Sequence, residues 1–104
     1  MEYKVIEKDY TIPNSHRAFD GHFPHSPIFP AVAQIDLVTV LLREHFTKPV
    51  KSRAVRRAKF RAILGPETAV HLVITLKEEG EARWTLSGPG TVYSMGDISY
   101  SLGT

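Results

Sequence analysis

The spacing of apolar positions changes character twice along this chain. From Tyr3 to Thr11, Tyr, Val and Ile sit among charged residues in the manner of a short strand, which Pro13-Asn14-Ser15 ends. From His16 to Pro30, prolines 24, 27 and 30 and Gly21 predict an irregular loop, and Phe19, Phe23 and Phe29 predict that it is pinned to a core. Pro30 suits the first turn of a helix, and from Ala31 to Leu42 only Gln34, Asp36 and Thr39 are polar. Such a helix is apolar nearly all round and is expected to be buried on most sides. It should end near Arg43-Glu44-His45, with Pro49 beyond as a stop.

Every later segment reads as strand, over 51–63, 67–77, 82–87 and 91–102, with breaks at Gly65-Pro66, Glu78-Glu79-Gly80 and Gly88-Pro89-Gly90. One helix enclosed by an antiparallel sheet of about five strands is an α+β architecture, since short turns between successive strands leave no room for parallel crossovers. Residues 1–104 read as a single domain. On 51–61 the odd positions are Lys, Arg, Val, Arg, Lys and Arg and the even ones mostly small, so strict alternation predicts one basic face and one small face against the helix.

Composition narrows the function classes. A chain of 104 residues buries a modest core, so association with a second copy is expected. The absence of cysteine removes disulfides, thiolate nucleophiles and thiolate metal sites. No basic-then-apolar leader opens the sequence and no apolar run approaches the ~20 residues of a membrane span, so a soluble cytoplasmic protein is expected. Net charge is only +2, yet Lys51, Arg53, Arg56, Arg57, Lys59 and Arg61 fall together with no acidic residue among them. That stretch is either a solvated strand face or a docking surface for an acidic partner. Nucleic acid is disfavoured, because Phe60 falls on the face opposite Arg57, Lys59 and Arg61.

Two residues point to chemistry. His22 lies in the Pro- and Gly-punctuated loop, and Asp36 lies fourteen positions later inside the apolar helix, where a carboxylate is costly to bury unless it is used. His22 and His25, with His16 nearby, lack a third carboxylate or thiolate ligand, so no metal site is expected. A GxSxG elbow and a glycine-rich phosphate loop are both missing. His45 reads as a helix-end residue, His71 as a strand residue, and Gln34 as polar packing or interface.

Gly21-His22-Phe23-Pro24, followed by Ser26-Pro27-Ile28-Phe29-Pro30-Ala31-Val32 and then Asp36, resembles the signature of the hotdog-fold 3-hydroxyacyl-[acyl-carrier-protein] dehydratases. Lys59-Phe60-Arg61 and Leu64-Gly65-Pro66-Glu67 extend the resemblance over most of the chain, and Gln34 two before Asp36 is similar to the aryl-polyene type. The resemblance implies a hotdog: an antiparallel sheet wrapped round one long central helix, paired as a homodimer that brings the His of one subunit to the carboxylate of the other. It implies dehydration of 3-hydroxyacyl thioesters to trans-2-enoyl thioesters, with His22 as base and Asp36 as acid. Burial favours the protonated form of a carboxyl group, so the helix-embedded Asp36 is expected to hold or share a proton. The backbone N–H groups of Ala31 and Val32 would receive the thioester oxyanion. The acyl group would ride on the phosphopantetheine of acyl carrier protein, with no other cofactor. This carrier is acidic, which gives Arg53, Arg57, Lys59 and Arg61 a reading as its docking surface. Ala31 and His25 stand where the family usually has glycine. A hotdog acyl thioesterase and a non-catalytic carrier-binding hotdog subunit are the alternatives.

Overall fold

The computed structural model describes residues 4–13, 15, 16 and 28–104. Five strands and one helix follow in the order β1 (Lys4–Ile12), α1 (Ala31–Phe46), β2 (Val50–Phe60), β3 (Thr68–Leu76), β4 (Glu81–Gly88) and β5 (Thr91–Leu102). The strands form one antiparallel sheet in the order β1-β3-β4-β5-β2. This is the α+β arrangement that the hydrophobic pattern predicts, with element ends displaced by a few residues. No helix among the described residues is long and apolar enough to cross a membrane.

Alternation builds the core. Val70, Leu72, Ile74 and Leu76 of β3, Ala82, Trp84 and Leu86 of β4, and Ile98 and Tyr100 of β5 turn to one face of the sheet. There they form a single buried cluster with Ala33, Val38, Leu41 and Leu42 of α1 and with Phe29 and Leu64. Trp84 is its largest fully buried side chain, and its indole N–H donates to Ser94 Oγ at 3.1 Å. Gly96, opposite Trp84 in the ladder, leaves the space the indole fills. At the β3–β4 turn, Gly80 takes φ +78, and a Cβ there would come within 2.9 Å of the Tyr100 carbonyl oxygen. The helix ends at Thr47, which adopts φ 52, two residues before Pro49.

Two expectations need correction. The helix is not buried on most sides: its buried residues are Ala33, Gln34, Val38, Leu41 and Leu42, while Ala31, Val32, Asp36, Arg43 and Glu44 are exposed. A single sheet covers a single side. Nor does β2 alternate strictly, because its pairing with β5 slips between Ser52 and Ala54 and again between Arg56 and Lys59. Arg57, in the second bulge, adopts φ 51, so the basic residues do not stand in one row.

On the outer face His71 Nδ1 lies 2.6 Å from Asp9 Oδ1 and its Nε2 lies 3.1 Å from Glu7 Oε1, bridging edge strand β1 to β3. The Asp9 hydrogen bond, with the charges of Asp9 and Glu7, raises the imidazole above its ordinary 6.5. A raised folded-state value means this contribution to stability is complete below pH 6.5 and is lost as pH rises through the folded value. The melting temperature of His71→Gln should therefore fall below that of the parent on the acid side of neutrality and converge with it on the alkaline side. The difference will be small, because the ring is partly open to water. Melts of both proteins across that range check it.

Candidate active site

The start of α1 is held from two directions. Phe29 is almost wholly buried, and its N–H donates to the Leu64 carbonyl oxygen at 2.6 Å. Its own carbonyl oxygen accepts a hydrogen bond from Gln34 Nε2 at 3.1 Å. The segment from Ile28 to Pro30 is thereby fixed against the chain leaving β2. Pro30 occupies the N-cap with φ −73 and ψ 164 and offers no side-chain cap, and its carbonyl oxygen accepts from the N–H groups of Ala33 and Gln34. The N–H groups of Ala31 and Val32 meet no acceptor among the described residues. They point out of the positive end of a 16-residue helix, where a negative charge is stabilised.

Asp36 lies nearly one and a half turns into the helix. It shares a stripe with Val32, four residues earlier, and both are exposed. The burial expected for Asp36 is therefore not supplied by its own chain. Across a groove from the helix start stand Phe60, 42% exposed, and Ile63, 73% exposed. This groove, of 280 Å³, is lined by Phe29, Ala31, Gln34 and the 60–64 segment. Beside it runs β2, which pairs with β5 and, among the described residues, forms an edge of the sheet. The helix-end donors thus stand between two exposed features: the groove of Phe60 and Ile63 on the Gln34 side, and the stripe of Val32 and Asp36 on the other face of α1. His22 and His25 lie outside the described residues.

The four proposed docking cations divide. Arg57 is committed to Asp97, its guanidinium lying 2.8 Å from Oδ2. Arg83 Nε donates to Asp97 Oδ1 at 2.8 Å, and Lys77 stands 3.9 Å away. The Arg83 hydrogen bond, reinforced by the neighbouring cationic charges, holds the Asp97 carboxyl below its usual range. Arg57, Lys59, Arg61 and Arg83 line one hollow of 430 Å³, and Arg53 is not part of it. Sequence reasoning missed Arg83, which reaches this hollow only because β4 and β5 place it opposite Asp97. It read Gln34, which is 4% exposed, only as polar packing or interface. A polar residue one position from the apolar helix stripe was the available signal.

Comparison with known proteins gives the family of the chain. Residues 2–97 match the model of the ApeI-like family, described as ApeI dehydratase. Over 90 residues the chain is 32% identical to a 3-hydroxyacyl-[acyl-carrier-protein] dehydratase FabZ from Lactiplantibacillus plantarum, covering 80% of this chain and 60% of that one. It spans about three fifths of the length of the curated relatives it matches. Among solved structures, the dehydratase heterocomplex ApeI:P from Xenorhabdus doucetiae superposes with a TM-score of 0.83 at 24% identity, covering 92% of this chain and 86% of that one. The fluoroacetyl-CoA thioesterase FlK gives a TM-score of 0.79 at 12% identity, covering 97% and 86% of the two chains. At such identities the likeness is one of fold.

Proposed function

The chain belongs to the ApeI-like dehydratase family and has the hotdog fold, and from that premise we propose that it dehydrates 3-hydroxyacyl thioesters carried on acyl carrier protein to trans-2-enoyl thioesters. His22 takes the proton from the carbon alpha to the thioester, and the electron pair moves onto the thioester oxygen. The N–H groups of Ala31 and Val32, with the helix dipole behind them, hold that oxyanion. As the charge returns to form the alkene, the 3-hydroxyl leaves with the Asp36 proton as water. The protons on His22 and Asp36 then re-equilibrate for the next turnover.

What carries this reading is the exposed side of α1: two N–H donors that meet no acceptor among the described residues, above a carboxylate on a stripe that its own sheet leaves bare. A second copy laid along this stripe and the free edge of β2 would shield Asp36 from water and bring it to the partner's loop, so the working unit is proposed as a homodimer with His22 and Asp36 drawn from different subunits. Acyl carrier protein docks at the cations around the β2 bulge, with Lys59 and Arg61 presented to it and Arg57 and Arg83 steadied by Asp97. Arg53, outside that hollow, adds to the basic approach.

Subunit mixing tests the shared site. His22→Ala and Asp36→Asn proteins, each inactive alone, are unfolded together and refolded at equal concentrations. If each site takes its base from one subunit and its acid from the other, mixed dimers carry one intact site and activity returns to about a quarter of the parent's; if both residues serve from one chain, no mixed dimer has an intact site and activity stays at the level of the separate variants.

A further inference from the structure

The first turn of α1 buries a polar side chain that the proposed reaction does not use. Gln34 is 4% exposed, and its amide is oriented by chemistry: Nε2 donates to the Phe29 carbonyl oxygen at 3.1 Å, and a reversed amide would set oxygen against oxygen. Its Oε1 is buried and meets no hydrogen-bond partner among the described residues. An unanswered buried acceptor is costly, and an apolar side chain of the same length would avoid it. The amide is therefore kept for its donor.

That donor grips one particular carbonyl. Phe29 immediately precedes Pro30, which has no N–H, so the 29–30 peptide offers only an oxygen. Turned outward, this oxygen would lie beside the Ala31 and Val32 N–H groups and repel any negative charge forming there. Tied to Gln34 it is held inward, and the Phe29 N–H bond to Leu64 at 2.6 Å fixes the other end of the same residue. The groove that Gln34 helps to line opens at this junction.

We propose that Gln34 is a positioning residue of the active site, holding the Phe29 carbonyl away from the oxyanion so that the N–H groups of Ala31 and Val32 face the thioester oxygen unopposed. This rests on the dehydratase reading above. Gln34 acts through Phe29 and the helix start, so its removal touches the transition state, where the charge is full, more than substrate binding.

Gln34→Met keeps the length and removes the donor; kcat for hydration of a trans-2-enoyl carrier thioester should fall about tenfold or more with KM within about twofold of the parent's. Gln34→Glu supplies a finer readout: its neutral carboxyl can donate to the Phe29 oxygen and its carboxylate cannot, so the ratio of this variant's kcat to the parent's should fall as pH rises. Circular dichroism at each pH confirms that the variants are folded. Independently of turnover, backbone ¹⁵N order parameters at Ala31 and Val32 should drop in Gln34→Met from about 0.85 towards 0.6 while those of Val38 and Leu42 hold. Unchanged order parameters overturn the proposal, as does a parent-like kcat in Gln34→Met or a parent-like pH profile in Gln34→Glu. A parent that turns nothing over overturns the dehydratase reading instead, and the order parameters still decide the role of Gln34 at the helix start.

Discussion

Asp36→Asn is expected to lower kcat for enoyl-thioester hydration by about 10²–10⁴-fold while changing stability by about 0.5 kcal/mol or less. The two halves of this expectation have separate grounds. The Asp36 side chain is exposed and makes no hydrogen bond or ion pair among the described residues, so an isosteric amide removes nothing that holds the fold. An amide cannot deliver or recover a proton, so loss of the leaving-group acid falls wholly on the chemical step. KM should stay close to the parent's, since the acyl group and carrier contact other surfaces. Steady-state kinetics beside a thermal melt of the same preparations check both halves. A fall in melting temperature matching the loss of activity would return Asp36 to a structural role.

The largest effect on stability is expected at Gly96. A Cβ on this residue would stand 2.6 Å from Trp84 Cη2 and 2.8 Å from Cζ3 on one side, and 3.0 Å from the Ala58 Cα on the other. Neither neighbour yields readily: the indole is fully buried and tied to Ser94, and the Ala58 contact is backbone of the adjoining strand. Overpacking a close-packed core usually costs about 1–3 kcal/mol, and contact with an immobile ring and a backbone atom at once places Gly96→Ala at about 3 kcal/mol or above. For a domain of this size that is a drop of roughly 12 °C or more in melting temperature. Trimming the ring should give relief. In the double substitution Gly96→Ala with Trp84→Phe, the costs should fall short of their sum by about 1 kcal/mol or more. Strict additivity would mean that the indole is not what Gly96 accommodates.

These expectations also mark where the sequence was sufficient. The helix start was legible because Pro30 and an apolar run state it locally, and the strand breaks because Gly65-Pro66 and Gly88-Pro89-Gly90 punctuate the chain. What stayed hidden depends on partners distant in sequence. The two slips in β2 arise from its register with β5, and Arg57 is held in its bulge by an aspartate forty positions later. His71 looked idle until β1 brought Asp9 and Glu7 alongside it. The apolar girth of α1 was read as burial by its own sheet, whereas the sheet covers one side and leaves Val32 and Asp36 bare. Apolarity states that a surface should be covered and not what covers it. Of the candidate site, the helix start and Asp36 were named from sequence and Gln34 was read there as polar packing or interface; its hold on the Phe29 carbonyl and the place of Arg83 emerged only with the fold, and His22 lies outside the described residues.

The central claim is lyase chemistry at the helix start, and the most direct test is to give the parent protein a trans-2-enoyl thioester of acyl carrier protein and follow enoyl absorbance and free thiol together. The account predicts that absorbance falls as water adds, that no thiol appears, and that His22→Ala and Asp36→Asn leave the signal flat. Release of thiol without loss of the alkene would make the protein a thioesterase, and a steady signal on both channels with the carrier bound would make it a non-catalytic subunit.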